Sequence, residues 1–545
     1  MTNIIRIINN ELYLESPQNT LTKITTTNNK KELNKFFDKD IVDTDFNILS
    51  SPVRNKLIIG YFSTSQQVKF GKTKSGNTIY QVTTFDQNLP YFLVSYGGKL
   101  VGKIIITFKF KDWNNALPKG EIVNVIGLYD ESNLINTLQY INSIYRKNIF
   151  KSSEYKLNDF ESKIKRELIN TTVFSIDPVD CIDVDDALSI DETDDSWIVG
   201  VYIAQPICWL SESELMTRSI DSFSTLYSQP FASNNNLWGD QITKNASLTQ
   251  GEIKPVYYIK FIINKFSKQI SEIFHGPGQI INSIKTDYES CLSYPIIKKL
   301  FGITSFLSSE IIDTHQLVSY WMVKANNFLG SFQKLKELNI PYRIMKKEET
   351  GTNNFSNIID SDIRQIFLNR TNESAIYQIN CETNYHSGLE KFDYIHFTSP
   401  IRRVIDCLIH WCLTYNVNFG SLLEKYSLDI QHFNSLDSNT KKYHNNIKLL
   451  NCINELKWDQ DDMIEIDGVI YEKFEDKNIW TIWTNELGFQ RVKMWDNKFD
   501  YLKDANFKKS IDKINIGDRL KLKIYRKTGF LPKEKILIVS SLNLI

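Results

Sequence analysis

Between Asp177 and Asp195 the chain carries nine acidic residues and not one Lys or Arg. Few features constrain a fold as tightly. Unit charges about 4 Å apart repel by a few kcal/mol even at a protein-like dielectric, so a compact structure must separate these side chains or compensate them. The stretch follows an apolar, strand-like run, Val173-Phe174-Ser175-Ile176, and its first aspartates precede another, Ala187-Leu188-Ser189-Ile190. Asp177, Asp183, Asp185 and Asp186 therefore belong to a loop pinned at both ends, not to a solvated acidic tail. Hard oxygen donors at this density suit Mg2+, and a pair of ions about 3.5–4 Å apart has use for four carboxylates. An exposed acidic loop and a calcium loop are the competing readings. The calcium loop lacks the Gly and the closing Glu of an EF-hand.

The remaining chain must bury enough apolar surface to hold such a loop. Its 545 residues, 42% hydrophobic and 23% charged, give the profile of a soluble globular protein, with a length suited to about three or four domains. The seven cysteines are dispersed and form no C-x-x-C pair, which predicts free thiols rather than a disulfide framework or a zinc ribbon. No apolar run approaches the roughly 18 residues needed to span a bilayer, and the N-terminus lacks the apolar segment of a signal peptide. The expectation is a cytoplasmic protein, with nucleus or mitochondrion as alternatives, and no membrane partner. Lys plus Arg and Asp plus Glu both number 64. A neutral total does not advertise nucleic-acid binding, but local charge departs from it. Residues 54–128 hold ten Lys/Arg against three acids, and residues 505–545 again hold ten against three.

Those two basic regions coincide with strand-rich sequence. Residues 1–54 are polar and irregular, with a helix-like piece at 30–39. Residues 55–130 contain β-branched and aromatic runs at 58–62, 77–85, 90–94 and 103–110, as in a small oligonucleotide-binding (OB) barrel. Residues 131–170 read as a helical connector. Residues 171–455 mix strands and helices and form the largest unit. Residues 456–545 become strand-rich again, and Arg519-Leu520-Lys521-Leu522-Lys523-Ile524 alternates as a half-buried strand does. The expected fold class is multidomain α+β, a central domain flanked by small β-barrels. Basic, aromatic-rich barrels suit single-stranded nucleic acid, although Lys on outer strand faces also serves to protect an edge.

A second motif lies about 210 residues after the aspartates: Tyr394-Ile-His-Phe-Thr-Ser-Pro-Ile-Arg-Arg403. Ser399 can cap a helix with Pro400 at its first position. Ile401, Ile405, Leu408 and Cys412 then share one helical face, and Arg403, Asp406 and His410 another. The helix N-terminus with Arg402 and Arg403 would form an anion site.

Taken in order, these motifs resemble the ribonuclease II (RNB) family of 3′→5′ exoribonucleases. Asp177-Pro-Val-Asp-Cys-Ile-Asp-Val-Asp-Asp-Ala-Leu188 is most similar to the eukaryotic, exosome-subunit branch. Lys111-Asp-Trp113 and Leu117-Pro-Lys-Gly-Glu-Ile-Val resemble the second cold-shock-type barrel of that branch, with residues 1–54 as a reduced first one and no extra N-terminal endonuclease domain. The resemblance implies hydrolysis of single-stranded RNA, processively, to 5′-nucleoside monophosphates. It makes Asp177, Asp183, Asp185 and Asp186 ligands for one or two Mg2+, with Mn2+ as substitute, and Asp185 catalytic. It maps an active-site tyrosine to Tyr227, a tyrosine that stacks on the 3′-terminal base to Tyr288, and a catalytic, phosphate-clamping arginine to Arg370. Ser399, Arg402 and Arg403 become RNA-binding residues. The chain would work as a monomer or as a subunit of an RNA-decay assembly.

Three positions depart from the family pattern: Tyr202 stands where His is usual, Gln205 where Asp is usual, and Asn326-Asn327 where the pair is Asn-Glu. They motivate an alternative, a catalytically weakened RNA-binding or scaffold protein with the same fold. A metal-dependent nuclease acting on DNA is a third reading.

Overall fold

The computed structural model describes the chain apart from residues 1–2, 9–10, 19, 25–34, 67–69, 115, 147–149, 151–154, 229–234, 309, 347–354, 356–357, 359, 372–373, 380–382, 475–478, 494–514 and 545. Two compact units emerge: Met1–Tyr145 with Thr528–Lys535, and Arg146–Lys527 with Ile536–Ile545.

The first unit starts with an open antiparallel sheet of β1 (Asn3–Ile8), β2 (Glu11–Glu15), β3 (Leu21–Lys23), β4 (Ile41–Val42) and β5 (Ile48–Ser50), in the order β3-β2-β1-β4-β5. A closed barrel of β6 (Ile58–Ser63), β7 (Thr78–Thr84), β8 (Phe92–Tyr96), β9 (Lys103–Asp112) and β10 (Lys119–Leu128) follows, ordered β10-β8-β7-β6-β9. Its third and fifth strands pair in parallel, which is the OB arrangement. The N-terminal sheet has the same order without that closing pair, as a reduced barrel would. Ile104, Ile106 and Phe108 of β9 fill the barrel. Gly120 of β10 makes room for Phe108, because a Cβ there would come within 2.4 Å of its ring.

Among the described residues the predicted helical connector is helical over α1 (Leu134–Ile141), the 3-10 turn before it and a 3-10 turn at Glu161–Lys163. Ser143, at φ 55°, ends the helix in left-handed backbone. Of the helix-like piece at 30–39, residues 30–34 lie outside the described residues and 35–39 form turns.

The second unit is built on a six-stranded sheet of β11 (Glu167–Leu168), β12 (Val173–Ile176), β13 (Asp186–Glu192), β14 (Ser196–Ala204), β15 (Ile253–Asn264) and β16 (Ile270–Thr286). The order is β11-β16-β12-β13-β14-β15, and an added β15–β16 pairing closes the sheet on itself. Helices α2 (Glu212–Asp221), α3 (Gly239–Ala246), α4 (Pro295–Leu307), α5 (Thr314–Ser331), α6 (Gln333–Glu337), α7 (Ser361–Thr371), α8 (Val404–Tyr415), α9 (Phe419–Lys425) and α10 (Ile430–Glu455) accompany it. A two-stranded antiparallel ribbon of β17 (Tyr342–Ile344) and β18 (Ile376–Gln378), with α7 between them in the chain, and a short hairpin of β19 (Tyr385–His386) and β20 (Lys391–Phe392) lie between α6 and α8. Trp238, Trp321 and Trp411 anchor the main core.

A last antiparallel sheet comprises β21 (Met463–Phe474), β22 (Ile479–Thr484), β23 (Gly488–Lys493), β24 (Arg519–Arg526) and β25 (Ile536–Leu544), ordered β23-β22-β21-β24-β25. Leu520, Leu522 and Ile524 of β24 point inward, as the alternation predicts.

Helix α8 corrects two expectations. It begins at Val404, not after Ser399, and residues 404–413 are buried on every side rather than along one face. Apolar residues surround the whole helix, and its polar members Asp406 and His410 find partners inside the protein. The described cysteines are all free thiols. Among the described residues no helix is long and apolar enough to cross a membrane.

Candidate active site

The aspartate loop hangs between β12 and β13. These strands pair through Val173 with Ser189 and Phe174 with Leu188, which fixes where the loop leaves and re-enters the sheet. On its other edge β12 runs parallel to the end of β16, and the Asp177 amide donates to the Thr286 carbonyl at 3.0 Å. The loop is pinned again at its middle. The buried Ser247 hydroxyl donates to the Ile182 carbonyl (2.9 Å) and accepts from the Val184 amide (3.0 Å). The Lys285 ammonium donates to the Cys181 carbonyl at 2.6 Å and supplies part of the positive charge that the acidic run requires. Ser247→Ala removes two bonds at a buried site, and it should destabilise the protein by about 1–3 kcal/mol in denaturant titrations.

The four aspartates come together but do different things. Asp185 is buried, with one oxygen accepting from the Ile401 amide (2.8 Å) and the other from Arg402 Nε (3.0 Å). Asp177, Asp183 and Asp186 are partly exposed. Cys181 Sγ lies 3.7 Å from Oδ1 of both Asp177 and Asp183, and Asp177 Oδ2 is buried without a partner. Burial drives the Asp186 carboxyl up to about 8, with Asp177 and Asp185 adding repulsion. Burial raises Asp185 to about 7 against the pull of Arg402, and Asp177 to about 6 against a Ser175 hydrogen bond and the charge of Lys285. Among the described residues no three acidic, His or Cys side chains converge as a finished metal cage. An orphaned carboxylate oxygen beside mutually repelling carboxylates is nevertheless the hard donor set that a divalent cation satisfies.

Around this loop stand several other side chains. The Tyr227 hydroxyl donates to Asp183 Oδ2 at 2.9 Å, and the Tyr227 amide donates to His444 Nε2 of α10 at 3.2 Å. Burial and the Asp183 charge push the Tyr227 hydroxyl well above its usual range. Tyr288 follows the end of β16. Burial, with Asp186 and Asp177 nearby, raises its hydroxyl to about 12. The Ser399 amide donates to Asp406 Oδ1 (2.8 Å), and the Ser399 hydroxyl accepts from Arg402 Nη2 (2.9 Å).

Residues 165–295 and 297–418 match the RNB domain family model. The chain carries an RNB domain. It is 22% identical over 493 residues to Ribonuclease R of Ureaplasma parvum, covering 70% of this chain and 66% of that protein. The chain thus spans just under two thirds of this relative's length, and the relative is bacterial rather than of the exosome branch. The fold superposes on Mycoplasma genitalium RNase R, solved with ribose-methylated single-stranded RNA, with a TM-score of 0.71 at 16% identity over 100% of both chains. It also resembles yeast Ssd1, described as a pseudonuclease, with a TM-score of 0.62 at 12% identity over 90% of this chain and 78% of that one. These likenesses support the flanking OB-type barrels as well as the RNB domain.

Several residues in the RNB domain do not sit where the motifs suggested. Arg370 makes its ring contacts in the C-terminal sheet. It ends α7, whose Phe367 packs on Tyr471 and Phe489, so the exposed guanidinium lies 4.1 Å from the Phe489 ring centroid in the C-terminal sheet. Arg403 is turned inward. It donates to His396 Nδ1 (3.0 Å) and to Asp406 Oδ1 (3.1 Å), while the Tyr377 hydroxyl meets the same His396 nitrogen at 2.6 Å. Ser399 is not the helix cap; Arg403 occupies that place without a side-chain bond.

The departures are structural. Tyr202 bonds Ser189 in the core (2.9 Å), Gln205 donates to Thr414 (3.1 Å) and meets His410 Nδ1 at 3.2 Å, and Asn327 donates to the Phe392 carbonyl. Asn326 accepts from the Phe397 amide (2.9 Å) and donates to Tyr394 and Thr398, bracing the segment before Ser399. Sequence reasoning missed Ser247, Lys285, His396 and His444 as site supports. Lys285 stands inside the quoted Lys285-Thr-Asp-Tyr-Glu motif and could have been singled out as a counter-charge. Ser247 and His444 carry no local signal.

Proposed function

We propose that the chain is a divalent-cation-dependent 3′→5′ exoribonuclease that hydrolyses single-stranded RNA processively to 5′-nucleoside monophosphates, acting as a monomer or within an RNA-decay assembly. The observation that carries this reading is the pinned loop that holds Asp177, Asp183, Asp185 and Asp186 together with Tyr227 and Arg402 against it. Mg2+, with Mn2+ as substitute, held by Asp177, Asp183 and Asp186, would supply the Lewis acid that acidifies water and offsets charge on the scissile phosphate. Asp185 orients the site by holding the Ile401 amide and the Arg402 guanidinium. The Arg402 side chain is 48% exposed, so its outer edge remains open to a phosphate oxygen. Arg402 takes the clamping role that the motif gave to Arg370. Tyr227 fixes the Asp183 rotamer, and Tyr288 offers a ring for the last base. Water attacks the last phosphodiester, the P–O3′ bond breaks, the shortened strand keeps a 3′-hydroxyl and one 5′-monophosphate leaves.

The basic barrels would hold the body of the strand through phosphate contacts, with steep salt dependence. The non-catalytic alternative is favoured by one observation, that both Asp185 oxygens are already engaged, and the pseudonuclease resemblance agrees with it. Incubating 3′-labelled single-stranded RNA with Mg2+, with and without chelator, separates the two. Chelator-sensitive release of 5′-monophosphates supports the enzyme. Intact RNA, or degradation that survives Asp185→Asn, excludes it, and a matched DNA oligomer tests sugar selectivity.

A further inference from the structure

Tyr288 is not a lone ring at the edge of the site. The imidazole of His315 lies face to face on it, with ring centroids 3.7 Å apart and planes inclined by 17°. Aromatic pairs that merely fill a core favour edge-to-face or offset packing; here Tyr288 is partly buried beside the main core while His315 is exposed, so the imidazole adds the stack from the solvent side.

The fold nevertheless delivers it with some care. Asp313 caps α5 in a reciprocal capping box with Gln316; the Asp313 carboxylate accepts from the Gln316 amide at 2.7 Å. The Thr314 hydroxyl donates to the Tyr288 carbonyl at 2.9 Å, and Cys291 Sγ approaches the same oxygen at 3.5 Å. Leu317 and Val318 then bury the next turn. The first turn of α5 is thus fixed to the Tyr288 backbone, and His315, between the cap and the buried turn, covers one ring face. Tyr288 follows Thr286, whose carbonyl receives the Asp177 amide, so the paired rings begin two residues from the aspartate loop.

We propose that His315 is a positioning residue: it backs Tyr288 so that the tyrosine's other face is presented flat to the 3′-terminal base. The inference rests on the exoribonuclease reading above. It assigns α5 a part in gripping the RNA end that no aspartate or arginine performs. Losing the imidazole frees the tyrosine ring to tilt, which weakens retention of the 3′ end without touching the groups around the phosphate.

The test uses the full chain, Ca2+ in place of Mg2+ to slow cleavage, and single-stranded RNA with 2-aminopurine as its last base, whose fluorescence falls on stacking. The wild-type protein should quench it. His315→Ala should lose most of the quenching and raise KM roughly fivefold, with kcat nearly unchanged. His315→Phe, which keeps a flat ring, should restore both. The thermal midpoint should stay constant across the three, since a purely structural stack would move it instead. Quenching and KM in His315→Ala equal to wild type overturn the inference while leaving the nuclease reading intact. No quenching by wild type, in a protein that still degrades RNA, removes the Tyr288 platform and the inference together, and absence of any degradation removes the exoribonuclease reading itself.

Discussion

Asp186→Asn is expected to slow RNA hydrolysis by about three orders of magnitude while RNA binding survives. The residue opens β13 and lies among Asp177 and Asp185, whose charges, with burial, lift its carboxyl to about 8. A group so penalised as an anion gains most from a cation beside it. Asparagine keeps the shape and one acceptor oxygen but removes the charge, so the site loses several kcal/mol of cation and transition-state stabilisation, and each 1.4 kcal/mol is about tenfold in rate. The affinity should move the other way. The uncompensated acids repel the RNA's own phosphates, so without divalent cation the variant should bind single-stranded RNA at least as tightly as wild type. Single-turnover rates with radiolabelled RNA give the first quantity and filter binding in chelator gives the second. A loss of rate confined to tenfold, or a parallel collapse of binding, would contradict the role assigned to this carboxylate.

The contrast between Asp186 and Arg370 shows how much of the site could be read from residues alone. The aspartate loop was legible because its constraint is local: apolar strand, crowded acids, apolar strand. Whatever the fold, those charges had to share one pinned segment, and β12 and β13 pin it. The strand-rich regions on either side of the central domain in the chain were legible for the same reason, since alternation within one strand, as in Leu520, Leu522 and Ile524, depends only on period; closure depends on a pairing between distant strands, which the described residues show for β8 with β10. Arg370 has no such constraint. Its environment is set by Phe489, more than a hundred residues further on, against which α7 happens to pack. The helix after Ser399 failed similarly. Ser-Pro is a good helix start locally, but here the Ser399 amide is taken by Asp406 and the Ile401 amide by Asp185, so residues 400–402 make a single turn, closed by the Arg403 amide on the Ser399 carbonyl at 2.9 Å, and the helix begins only at Val404. Arg402 and Arg403 are adjacent and chemically identical. Only the tertiary structure shows that one meets Asp185 with half its side chain in solvent while the other is tied to His396 and Asp406 inside.

Removing the divalent cation should make the protein's stability fall as pH rises, and adding Mg2+ should flatten that slope. The sign follows from the carboxyls. Asp177, Asp185 and Asp186 lie near 6, 7 and 8 in the metal-free fold, against about 3.9 for an unfolded aspartate. From about pH 4 to about pH 8 the folded chain therefore holds more protons than the unfolded one, and stability falls as pH increases through that window. Cation binding requires the deprotonated carboxylates, so the benefit of Mg2+ grows over the same range as the cost of leaving them bare. Thermal midpoints measured from about pH 5.5 to about pH 8.5 should diverge with and without millimolar Mg2+, the gap widest at the alkaline end. Asp177→Asn combined with Asp186→Asn should abolish the gap and reduce the slope to the part that Asp185 contributes, and should make the metal-free protein more stable than wild type at alkaline pH, because two repelling charges are gone. Curves that stay parallel across the range would mean that these carboxylates do not share a cation. A gap that persists in the double variant would place the cation elsewhere. The measurement needs no RNA and no turnover, so it tests the loop's electrostatics separately from the chemistry proposed for it.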